Sequence, residues 1–198
     1  PELADQLEDR LALFVETLLS REEVLVAAEK DPEEVNEAVT EMRDVLWALS
    51  RDRIGAYRGV RSLASNACPP SSAGLTVLLS IEQALRSLDR LEVRGRDSAG
   101  LQVTLWGHQK VELTEGLDAL YRSGSTHETA HGAQTWVVKE AAEIGELGDN
   151  TSALRAALKL DEGLAQALTS PDVQGSILGH TRWASVGVVS EANAHPLD

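Results

Sequence analysis

Cysteine is nearly absent: Cys68 is the single one among 198 residues. That excludes an intrachain disulfide and any multi-cysteine metal site, and it fits a reducing cytoplasm. Long apolar runs are missing as well. No stretch approaches the ~20 residues that cross a bilayer, and no signal-peptide pattern opens the sequence, so a soluble protein is expected. Positive charge is scarce, with 18 Lys and Arg against 32 Asp and Glu and a formal net charge of −14. A polyanion is repelled by such a chain on average, which argues against a nucleic-acid partner. The local basic group Arg86, Arg90, Arg94 and Arg96 falls on and just after an amphipathic helical stretch. Aliphatic content is ample: 42% of the residues are hydrophobic, enough for a core.

The first third reads as helices. From Glu2 to Ser20, Leu3, Leu7, Leu11, Phe14 and Leu18 recur at threes and fours, one face of a 3.6-residue period. A second helix is announced by Asp31-Pro32-Glu33-Glu34, an N-cap, a first-turn proline and two acids at the positive end of the helix dipole. Its stripe is Val35, Val39, Met42, Leu46 and Leu49. The pair predicts an antiparallel helical hairpin with mutually buried stripes. Ser65 to Gly74, with its paired prolines, serines and glycine, predicts a linker.

Beyond it, Leu75 to Leu91 returns to helical spacing through Leu78, Ile81, Leu85 and Leu88. Gly100 to Trp106 alternates apolar and polar residues, as a half-buried strand does. Gly107 to Gly132 predicts loop with some short helix, Thr135 to Lys139 a short strand, and Asp149 to Leu168 one amphipathic helix capped by Asp149 or Asn150. Ser176 to Arg182 predicts a last strand. The domain organisation expected is a helical hairpin and linker over 1–74, then a mixed α+β domain over 75–198.

Two segments stand apart. Leu91-Glu-Val-Arg-Gly-Arg-Asp-Ser-Ala-Gly100 lies between a helix and a strand. Gly179-His-Thr-Arg-Trp-Ala-Ser-Val-Gly187 is followed by Asn193-Ala-His-Pro196. Together, and in this order, they resemble the glutaminase domain of the glucosamine-6-phosphate synthase family (glutamine:fructose-6-phosphate aminotransferases), whose pattern is L-E-x-R-G-x-D-S-A-G, then H-T-R-W-A-T-H-G, then N-A-H-P. The resemblance covers roughly residues 75–198. It implies part of an N-terminal-nucleophile hydrolase fold, a four-layer αββα sandwich. The implied reaction is hydrolysis of glutamine to glutamate and ammonia. The ammonia then passes to fructose 6-phosphate on a separate isomerase module, with no cofactor and no metal. Whether the protein is a homo-oligomer is left open.

The residue types suit that chemistry. A guanidinium binds a carboxylate through two parallel hydrogen bonds, and the resemblance assigns the α-carboxylate of glutamine to Arg182. It makes Trp183 a cover over the bound substrate, where excluding water keeps ammonia from escaping. Ser185 replaces the family's threonine and keeps a hydroxyl near the substrate. Arg94 and Gly95 are placed beside the nucleophile at a tight turn, Asp97 holds that turn, and His195 supports the glutamine loop.

The chain departs from the pattern in two places. Val186 stands where the family has histidine. The family's nucleophile is an N-terminal cysteine whose own amine, with a pKa of about 7.7–8.0, acts as base; this chain begins with Pro1. Cys68 does not replace it, because Pro69 and Pro70 cannot continue a buried strand. The expectation is therefore that no catalytic residue lies in this chain and that the nucleophile strand lies upstream of Pro1. The domain is likewise expected to be incomplete beyond Asp198. The rival expectation is a degenerate, non-catalytic module acting in regulation or assembly. His127-Glu-Thr-Ala-His131 matches the H-E-x-x-H zinc pattern, but that pattern needs a helix, and the glycines and serines around it predict a solvated loop instead.

Overall fold

A computed structural model describes residues 2–27, 32–95, 97–112, 125–129, 131–141, 146–183 and 188–196. The chain forms two compact units, residues 1–59 and 60–198.

In the first unit, α1 (Glu2–Val26) lies against α2 (Pro32–Trp47). Val39 and Leu46 of the second apolar stripe are buried, whereas Phe14 of the first is exposed and Leu18 half-buried, so the expected mutual burial of the two stripes is not met at Phe14. Arg43 Nη2 sits 2.7 Å from Glu22 Oε1, a partly exposed pair of small energetic weight. A π-helical stretch (Ala48–Ile54) continues α2 and leads into α3 (Gly55–Leu63). The sequence pattern carries no signal for the π register, because apolar spacing of threes and fours does not separate it from an α-helix.

The second unit is an α+β layer pair. Its four strands are β1 (Ser98–Trp106), β2 (Ser125–Glu128), β3 (Gln134–Glu140) and β4 (Gln174–Arg182). They form one antiparallel sheet in the order β2-β3-β1-β4. Alternation sorts each strand's side chains onto two faces. Ala99, Leu101, Val103 and Leu105 of β1, with Trp136 and Val138 of β3, face the helices. Against them lie Val77, Leu78, Ile81, Leu85 and Leu88 of α4 (Ser72–Leu91), Leu154 and Leu158 of α5 (Asp149–Leu160), and Leu164 of α6 (Glu162–Ala167). Full burial of one such side chain stabilises by about 1.5–3 kcal/mol, so this face dominates the unit's stability.

Three elements differ from the pattern expected. The linker is shorter than Ser65–Gly74, since α4 starts at Ser72. Ser71 caps it, accepting from Gly74 N at 3.0 Å while its hydroxyl donates to Ser170 O at 2.6 Å. The helix expected over Asp149–Leu168 is two helices. Asp161 takes an extended backbone (φ −77°, ψ 105°) and caps α6, accepting from Leu164 N at 2.7 Å. The polar stretch 107–132 contains β2, which pairs with β3 and returns through a tight turn in which Gly132 N donates to Thr129 O.

One buried acid ties the helices together. Glu92, fully inaccessible, accepts from Gly148 N at 2.5 Å and Thr151 N at 3.1 Å, and so caps α5 from a distant part of the chain. Neither Asp149 nor Asn150 is the N-cap expected; Gly148 holds that place with a left-handed backbone and no side chain. Carboxylate bonds to the first N–H groups of a helix are charge-assisted. Glu92→Ala should lower unfolding stability by about 2–3 kcal/mol, read as a shift in the urea midpoint. Glu82→Ala, which removes the ion pair to Arg155, provides the comparison. An unchanged midpoint for Glu92→Ala refutes the capping role.

Candidate functional site

The two sequence segments singled out above meet at one end of the sheet. After α4, the chain turns tightly: Glu92 N bonds Leu88 O, Arg94 N bonds Leu91 O at 2.9 Å and Gly95 N bonds Glu92 O at 3.3 Å. Asp97 N then donates to Arg182 O at 3.1 Å, and Ser98 pairs with Arg182 as β1 and β4 begin their register. The turn lies close against β4. A Cβ on Gly95 would sit 2.8 Å from Thr181 Oγ1 and 3.2 Å from Arg182 N, so the position admits no side chain without displacement.

Arg94 is exposed on this turn, Gly95 is buried, and Asp97 is half-buried. Arg182, half-buried at the end of β4, donates from Nη1 to Asn193 O at 2.7 Å. Trp183 follows with 69% of its surface exposed, so its indole is available to cover a neighbouring ligand. Ser185 and Val186 lie outside the described residues.

His195 arrives from the other side. Residues 190–196 contain a 3-10 turn (Glu191–Asn193), in which Asn193 N bonds Ser190 O and Ala194 N bonds Glu191 O. Asn193 Nδ2 also donates to Val188 O at 3.1 Å. This segment crosses the sheet face opposite the helices, directly over Gly100. A Cβ on Gly100 would lie 2.0 Å from His195 O and 3.0 Å from Pro196 Cδ. The segment brings the ring of His195 against that of His180, with centroids 4.7 Å apart and planes tilted by 39°. Partial burial, then the neighbouring His195 and Arg182, hold the His180 pKa below its ordinary 6.5.

Arg94, Gly95, Asp97, Arg182, Trp183 and His195 thus gather around one sheet end and its outer face. Two further residues of this neighbourhood went unassigned in the sequence. His180 is one; its alternation with Arg182 along β4 puts both on the outer face. Lys139 is the other: it pairs with Gly100 on β3, is 2% exposed, and shares the face with His180.

Cys68 lies elsewhere. It borders a small cavity with Leu78 and Ile81 of α4 and Leu158 and Leu164 of the following helices, and none of these belongs to the Arg94–Arg182 group. His127 is on β2 and His131 in the turn after it, so the H-E-x-x-H segment spans a strand and a turn rather than the helix a zinc peptidase requires. Among the described residues no group of three His, Cys, Asp or Glu side chains is placed to hold a metal. None of the described helices is long and apolar enough to cross a membrane.

The Gly100 contact is open to a direct test. Gly100→Ala should push residues 190–196 off the sheet, with amide exchange at Asn193 and Ala194 accelerating and stability falling by about 1–3 kcal/mol. Wild-type exchange at both amides in that variant rules out the close packing described.

No protein-family model matches the chain, and no solved structure matches it. The chain is similar to the glutamine–fructose-6-phosphate aminotransferase (isomerizing) of Thermus thermophilus, with 31% identity over 113 residues. The match takes in 57% of this chain and 12% of that protein's length.

Proposed function

We propose that residues 72–198 belong to a glutamine amidotransferase of the glucosamine-6-phosphate synthase type and carry part of its glutamine-binding site. The observation that carries this reading is the meeting of the Arg94-Gly95-Asp97 turn with Arg182. Two motifs distant in sequence are joined by the hydrogen bond from Asp97 N to Arg182 O, 3.1 Å long, at the end of a shared strand pair. The sequence similarity to the Thermus thermophilus enzyme supports the same reading.

In this reading Arg182 binds the α-carboxylate of glutamine. Its guanidinium is already oriented by the Asn193 carbonyl, which lowers the entropy lost on binding. Trp183 closes over the ligand and excludes water, and Ser185 offers a hydroxyl to the substrate. Arg94 and Gly95 form the wall against which the scissile amide lies, Asp97 holds that wall to β4, and His195 braces the loop behind Arg182. The fold completed around this sheet is the αββα sandwich of N-terminal-nucleophile hydrolases. Hydrolysis requires a thiol brought to the Arg94–Arg182 group by another segment, because Cys68 lies in the apolar cavity on the helical side. The ammonia released serves the conversion of fructose 6-phosphate to glucosamine 6-phosphate on a separate module.

A second reading, a non-catalytic, degenerate module acting in regulation or assembly, is favoured by Val186, an aliphatic side chain where the resemblance places an imidazole. Calorimetric titration separates the two. Glutamine should bind the full-length protein, and Arg182→Ala should weaken it about 30-fold or more, the cost of losing a paired carboxylate contact. Arg182→Lys should retain part of that affinity, since a point charge replaces a two-pronged donor. Absence of glutamine binding by the wild type favours the degenerate module. Equal affinity in wild type and Arg182→Ala removes Arg182 from the site.

A further inference from the structure

Gly100 leaves a gap in the outer face of the sheet, and two imidazoles meet beside it. His180 on β4 and Lys139 on β3 are both direct cross-strand partners of Gly100, so the three form one row on that face. The backbone of His195 occupies the space that a side chain at position 100 would need. Its ring then rests on His180 at a 4.7 Å centroid separation, within the range of favourable tilted aromatic contacts. Two residues earlier, the Asn193 carbonyl receives the Arg182 Nη1 hydrogen bond. Residues 190–196 are therefore held by the sheet at Gly100 and by the His180 ring, and they in turn hold the Arg182 guanidinium.

We propose that His180 is a positioning residue. By stacking on His195 it clamps residues 190–196 to the sheet, fixes the Asn193 carbonyl and so orients Arg182, and uptake of a proton by His180 opens the clamp. The charged and titratable groups around His180 are of both signs. Arg182 lies two residues along the same strand, Lys139 lies across Gly100 at roughly 10 Å, two strand spacings, and His195 lies against the ring itself. Asp97 is bonded beyond Arg182 through its backbone, and Glu191 is exposed on the clamped segment. A cation on His180 is disfavoured by partial burial and by the neighbouring His195 and Arg182.

The pH window follows from that direction. A released His180 binds protons with the ordinary midpoint near 6.5, whereas the clamped one resists protonation. The released state therefore takes up more protons. The clamp is fully present above about pH 6.5 and is lost progressively as pH falls below it.

The effect on ligand binding rests on the reading of Arg182 as the carboxylate anchor; the clamp does not. Two measurements on the full-length protein keep these apart. Hydrogen–deuterium exchange of residues 188–196, corrected for intrinsic rates, reports the clamp, and calorimetric titration with L-glutamine reports the site. His180→Ala should accelerate exchange in this segment at pH 8 and raise the glutamine Kd about tenfold. His180→Phe keeps a flat ring without a titrating nitrogen. It should restore slow exchange and tight binding at pH 8 and keep both at pH 5.5, where the wild type loses them. Wild-type exchange in His180→Ala, or an unchanged pH dependence in His180→Phe, overturns the proposal. If exchange responds as described while the wild type binds no glutamine at either pH, the clamp stands and the glutamine reading falls.

Discussion

The antiparallel register of β1 with β4 places nearly everything of functional interest. It runs from Ser98 opposite Arg182 to Trp106 opposite Gln174, nine residues on each strand. With β1 held by its packing on the helices, a slip of β4 by one residue would carry Arg182 and His180 to the helical face. The cost of burying those polar groups locks the register. The locked register in turn brings the Arg94–Asp97 turn against Thr181 and Arg182. The site is thus a by-product of core packing on the opposite face, and its precision is inherited from that core.

A second constraint acts from the helical side. Glu92 sits inside the turn segment that leads to Arg94, yet its carboxylate is spent on the first turn of α5. One acid therefore fixes both the end of α4 and the start of α5. The turn carrying Arg94 and Gly95 is anchored on two sides, by Glu92 to a helix and by Asp97 N to β4. A rigid turn of this kind costs little further entropy when a ligand arrives.

Much of this was legible in the sequence where a single period decides the outcome. The helical stripes through Val39 and Leu46 and through Leu78, Ile81, Leu85 and Leu88, and the alternation through Leu101, Val103 and Leu105, all lie in elements of the expected type. The failures have physical causes. β2 is four residues of Ser, Thr, His and Glu, with no apolar side chain of its own to mark a face, and pairing with β3 makes it a strand. Asp161 reads as one more polar position in a helical stripe; its preference for capping decides the break. The candidate residues Arg94, Gly95, Asp97, Arg182, Trp183 and His195 could be named from the wording of two motifs, but their mutual contact could not. His180 escaped because its role depends on a ring brought from residues 190–196, and on a glycine one strand away that makes room for it.

The outer face also resolves an apparent conflict in charge. A chain with net charge −14 is a poor host for an anionic ligand if the whole surface is averaged. Screening at physiological salt limits the reach of that average to about 8 Å, so a ligand at the sheet end responds to its near neighbours. There, Arg182, Lys139 and the two histidines lie on one face. That grouping is local, in a molecule that is acidic as a whole. His180 resists protonation, first because its ring is partly buried and then because His195 and Arg182 lie beside it. In the clamp proposed above, closure of residues 190–196 lowers the proton affinity of His180, so protonation of that ring and closure oppose each other by linkage.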